Sequence, residues 1–128
     1  MAPSTQYEIG MYERVLAVGS TPFERVSIMY NGAIRLCRQG LSSAQSGDSD
    51  NAKAKAERLC AVVRRLDVCL DFTIAPELCR NLSRLYGHIQ EQLSRPTIGE
   101  EPMVFEETLQ LLQTLWDGFK TANSRDSG

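Results

Sequence analysis

His88 is the only histidine in the chain, and Cys37, Cys60, Cys69 and Cys79 are the only cysteines. Nucleophilic, proton-transfer or metal chemistry would have to draw on them. A histidine that moves protons needs an oriented partner. A di-iron helical bundle needs paired Glu-x-x-His motifs, but the residue three before His88 is Leu85. No two cysteines form a C-x-x-C pair, and no histidine stands at ligand spacing from them, so no zinc site is expected. The cysteines read instead as small, reduced core residues. The glycines are scattered singly, without a phosphate-cradling loop. The acidic pairs Asp48/Asp50 and Glu106/Glu107 read as solvated charge at a turn and on an exposed helix face. The residues therefore call for no catalytic group, no metal and no cofactor, and the chain does not read as an enzyme.

What carries information is the spacing of the apolar residues. Helical periodicity recurs four times, and no alternating strand pattern is present. Thr21-Pro22-Phe23-Glu24 reads as a capping box with proline at the first helical position. The stripe that follows is Val26, Met29, Ala33, Leu36 and Cys37, and it fades at Ser46-Gly47-Asp48. A second helix is expected from Ser49 or Asp50 to about Leu70, with Ala52, Ala56, Leu59, Cys60, Val63 and Leu66 on one face. A third begins near Ile74 to Pro76, carries Leu78, Leu82, Leu85, Tyr86, Ile89 and Leu93, and ends before Pro96 and Gly99. A fourth begins near Pro102, with Glu100 and Glu101 at its positive end. Long helices joined by short loops pack as an antiparallel up-down-up-down bundle.

The expected organisation is all-α. Residues 1–19 form an apolar N-terminal arm or short helix, 20–122 a four-helix bundle, and 123–128 a flexible polar tail. At 128 residues the chain is long enough to bury one core without staples. The formal net charge of -2 gives no basic footprint for nucleic acid. No apolar run is long enough to insert in a membrane, and no basic-then-apolar leader opens the sequence. The expected address is the cytoplasm.

Two helices carry more apolar surface than one stripe requires. The second adds Ala54, Ala61, Val62, Val68 and Cys69. The fourth adds Phe105, Leu109, Trp116 and Phe119 beside Val104, Thr108, Leu111, Leu112 and Leu115. Surplus of this kind is either a wider core or a groove for an amphipathic segment. The groove residues expected on this basis are Val62, Cys69, Phe105, Leu109 and Trp116. In the arm, Tyr7, Ile9 and Tyr12 are the residues that would cover such a groove.

In order along the chain, Thr21-Pro22, Met29-Tyr30-Asn31-Gly32-Ala33, Leu66 with Leu70-Asp71, Glu77-Leu78, Asn81-Leu82 and Leu85-Tyr86 stand at spacings that resemble the FliS-type flagellar export chaperones. The resemblance runs over about residues 7 to 119. Asn31, Pro76, Pro96 and Phe119 depart from the family pattern. The resemblance implies a four-helix bundle that binds the disordered C-terminal segment of flagellin, prevents its premature polymerisation and delivers it to flagellar type III export. Export-gate components and a second copy of the chain are further partners to consider. The alternative function is a helical interaction or regulatory bundle with no part in secretion.

Overall fold

The computed structural model describes residues 22–73 and 75–127, with side chains as far as Ser124. The residues 1–19 proposed as an arm, including Tyr7, Ile9 and Tyr12, and the capping residue Thr21, lie outside the described residues. Within them the chain forms four helices: α1 (Pro22–Gln45), α2 (Ser49–Val68), α3 (Pro76–Leu93) and α4 (Pro102–Ser127). A single 3₁₀ turn, Ile98–Glu100, precedes α4. The four helices fall where the periodicity places them, and the architecture is the expected all-α four-helix bundle. α4 continues through the polar residues after Asn123.

Local chemistry explains several of the boundaries. Gly47 adopts φ 83°, the left-handed conformation that glycine takes without penalty. Asp48 N–H donates to the Ser43 carbonyl at 2.8 Å and Gly47 N–H to that of Ala44 at 3.3 Å, satisfying two orphan carbonyls at the end of α1. Asp48 then caps α2, its side chain accepting from Asn51 N–H. The amide of Asn51 reaches back to Ser43 Oγ at 2.8 Å, binding the two helices at their joint. Pro76 occupies the first turn of α3, where its missing N–H costs nothing. Between α3 and α4, Glu101 holds the connection through Arg95 at 3.1 Å and the Thr97 hydroxyl at 2.7 Å.

α1 is the shared wall. It packs along α2 on one side and α4 on the other, while α3 packs mainly on α2. α3 and α4 touch little. The 3₁₀ turn accounts for this asymmetry. It leans on α2 and buries Ile98 almost completely. Gly99 lies so close to Ser49 that a Cβ there would overlap its carbonyl and hydroxyl. The connection thus crosses the end of the bundle before α4 starts, and α4 is delivered against α1 rather than flush with α3.

Gly40 illustrates how tightly α1 and α4 meet. A glycine within a helix costs roughly 0.5–1 kcal/mol relative to alanine, so a helix interior retains one only for a reason. Here the fully buried Phe105 ring occupies the space a Cβ would need. Cys37, one turn earlier, donates its S–H to the Phe105 carbonyl at 3.1 Å. Gly40→Ala should therefore destabilise the protein by about 1–3 kcal/mol through overpacking, despite its better helix propensity. Chemical denaturation would reveal this, and a more stable alanine variant would show that the ring can move aside.

Candidate functional site

Three of the four surplus apolar residues of α4 pack against α1. Phe105 meets α1 at Gly40. Trp116 stacks on Phe23 and on Tyr30 at centroid distances of 5.5 and 5.6 Å, both on α1. Phe119 meets the Tyr30 ring at 5.6 Å. Such aromatic pairs each contribute about 0.5–1.5 kcal/mol beyond area burial. Lys120 extends over the Trp116 ring with its ammonium 5.6 Å from the centroid.

The structure does not gather the five residues expected to line one groove. Phe105, Val62 and Trp116 are buried, Leu109 is half-buried, and Cys69 is exposed at the C-cap of α2. α2 and α4 each pack on α1 and scarcely meet one another. The surplus stripe of α4 is largely absorbed by α1. Folding leaves Leu109 and Cys69 with surface to offer. Val62, Phe105 and Trp116 would reach a partner only if the bundle rearranged.

An unfilled line of contact runs instead between α3 and α4. A dent there is walled by Ile89, Val104 and Leu111, with His88, Gln92, Glu107 and Thr108 as its polar members. Helical spacing extends both walls toward the N-terminus of α3: Leu78 and Leu85 continue one row, Leu115 the other. Leu111 and Leu115 are only partly buried, and Leu78 is 54% exposed. Phe72, in the connection before α3, is also exposed at this end. Sequence reading placed Leu78, Leu111 and Leu115 on core stripes, because periodicity does not show which neighbour stops short. His88 is exposed and no three His, Cys, Asp or Glu side chains converge among the described residues. Of the cysteines, Cys37, Cys60 and Cys79 are buried, as expected for core residues, while Cys69 is exposed.

Beneath the seam lies a buried polar link. The hydroxyls of Tyr30 on α1 and Tyr86 on α3 are 2.6 Å apart, with both residues at most 1% exposed. Burial raises the pKa of both phenols, pushing Tyr86 up to about 12. Burial also pushes the Cys37 thiol up to about 12.

The fold and this lateral opening define a helical bundle with three closed seams and one open one. The chain belongs to the FliS family of flagellar proteins, whose family model matches residues 5–126. The flagellar secretion chaperone FliS of Vibrio cholerae serotype O1 (strain ATCC 39315 / El Tor Inaba N16961) is 24% identical over 104 residues, covering 77% of this chain and 74% of that protein. No helix among the described residues is long and apolar enough to cross a membrane.

The tyrosine link makes alkaline stability a direct readout of the core. Both phenols bind their protons more tightly in the folded chain than at the ordinary value of 10.0. Their contribution is complete below pH 10 and is lost as pH rises through the folded values, because only the unfolded state releases those protons at first. Melting temperature should fall progressively from about pH 10 to 12. In the Y30F/Y86F double variant that fall should shrink to the part supplied by the buried thiols Cys37 and Cys60, both raised by burial; an unchanged profile would assign the alkaline loss elsewhere.

Proposed function

We propose that this protein is a cytoplasmic chaperone of flagellar secretion that binds the disordered C-terminal segment of flagellin, keeps it from polymerising early and aids its type III export. The match to the FliS family along nearly the whole chain carries this reading. That the Vibrio cholerae relative is a flagellar secretion chaperone points the same way. Export-gate components are the further partners implied by delivery.

The physics of holding a disordered tail fits the α3–α4 seam. A segment that folds on binding gains affinity from apolar burial and loses part of it to ordering, which favours moderate affinity and later release. The half-buried leucines of the seam, with Leu78 and Phe72 at its open end, supply that apolar surface along a line. An amphipathic segment laid into a groove between helices uses it through residues at helical spacing. Leu109 and Cys69 are proposed as flanking contacts. The arm residues Tyr7, Ile9 and Tyr12 are proposed to compete for the same apolar surface when no client is bound.

Calorimetry against flagellin C-terminal peptides tests the reading. Leu78 is exposed, so Leu78→Asp should leave the melting temperature nearly unchanged and weaken peptide binding by roughly tenfold or more, the equivalent of one lost apolar anchor. Peptide affinity identical to wild type would move the client off the seam. No binding by the wild-type protein would sink the chaperone assignment.

A further inference from the structure

Thr108 is the anomaly of the seam. It is 94% buried, being 6% exposed, lies on α4 and lines the dent facing α3. Its hydroxyl has no hydrogen-bond partner among the described residues. Among the described residues, the other buried side chain of this kind, Ser43, is satisfied by Asn51 at 2.8 Å. Buried hydroxyls are nearly always bonded, and leaving one unmade costs about 1–3 kcal/mol. Valine would fill the same volume on an apolar stripe without that cost.

The groups around this hydroxyl restrict what would satisfy it. Gln92, which lines the dent, accepts from Arg95 through its Oε1 at 3.4 Å, and its NH₂ has no hydrogen-bond partner among the described residues. His88 and Glu107 stand at the rim, both exposed and neither in a salt bridge among the described residues. The dent therefore offers a hydroxyl that both donates and accepts, an amide donor, and a carboxylate acceptor, between walls made by Ile89, Val104 and Leu111. A purely apolar side chain would leave Thr108 unsatisfied. A fully charged one would have to shed its water among those apolar walls. A carboxamide matches: its oxygen accepts from Thr108 or Gln92, and its NH₂ donates to Thr108 or toward Glu107.

The geometry points to Thr108 as a specificity-determining residue: the α3–α4 seam reads one Asn or Gln side chain of the bound polypeptide and thereby sets the register of an otherwise apolar contact. This rests on the chaperone reading and adds to it a stated client chemistry. Apolar grooves alone tolerate sliding, whereas a single buried polar pair fixes one alignment because every other alignment leaves its members unmade.

The test uses the full chain and a flagellin C-terminal peptide in calorimetry. Thr108→Val should be as stable as wild type or more so, and should weaken the peptide by up to about tenfold, the value of one buried hydrogen bond. Thr108→Ser, which keeps the hydroxyl, should retain most of the affinity. Each Asn and Gln of the peptide is then replaced by Leu in turn. One position should reproduce the loss with wild-type protein and add nothing further with T108V, a coupling that a merely structural threonine would not give. If the valine variant fails to fold, Thr108→Ala serves in the same cycle. Wild-type affinity in T108V, or no peptide position that couples to it, would overturn the assignment while the chaperone reading stands. No binding of any flagellin segment by wild type would overturn both.

Discussion

The Tyr30–Tyr86 hydrogen bond is the contact on which the arrangement of the bundle turns. Tyr30 is fully buried and its ring lies against Trp116 and Phe119, so one side chain joins α1 to α4 through its faces and to α3 through its hydroxyl. α3 has few other ties on this side, since it meets α4 so little. A buried hydroxyl pair contributes only about 1 kcal/mol in net stability. Its larger effect is directional, because removing one partner strands the other in the core at the full desolvation cost. That asymmetry holds α3 in register across the interior while the flank beside it remains open.

The open flank follows from what happens at the opposite end of the molecule. Gly99 docks on Ser49, Ile98 is buried beneath it, and Arg95 and Thr97 fasten Glu101. Together they bind the α3–α4 connection to α2 before α4 begins. α4 then makes its close packing with α1, where Gly40 admits the Phe105 ring. The bundle has a tight seam where Gly40 of α1 admits the Phe105 ring of α4, and a loose seam between α3 and α4 walled by Ile89, Val104 and Leu111. A polypeptide-holding role within the FliS family is compatible with that division. The rigid side supports the fold, and the loose side retains the apolar surface and the unsatisfied Thr108 hydroxyl that a bound chain would cover.

Much of this was legible from residue order. The periodic stripes, the capping box around Pro22, the turn at Ser46-Gly47-Asp48 and the start near Pro76 lead to an all-α bundle of four helices. The ordered series from Thr21-Pro22 to Leu85-Tyr86 leads to the family. The groove was less legible. Phe105 and Trp116 form a second stripe on α4 in any helical wheel, and surplus apolar surface suggests an outward face. In the folded chain α1 takes up that stripe, because Gly40 lets the ring approach and Tyr30 provides a stacking surface. Thr108 passed as one more position on an apolar stripe, since a threonine's hydrogen bonding cannot be read from its spacing.

The sequence by itself determined which stretches would be helical, which face of each helix would be apolar and about where the first three helices would stop. These are local properties, set by a 3.6-residue repeat and by capping chemistry within a few residues. Only the tertiary structure decided which helices would be neighbours, which stripe would be shared and which seam would be left unfilled. Those outcomes depend on contacts between residues far apart in the chain, such as Gly40 with Phe105, Ser49 with Gly99 and Tyr30 with Tyr86. A helical face specifies that something must cover it, and the covering partner is chosen by shape complementarity that no single stripe contains.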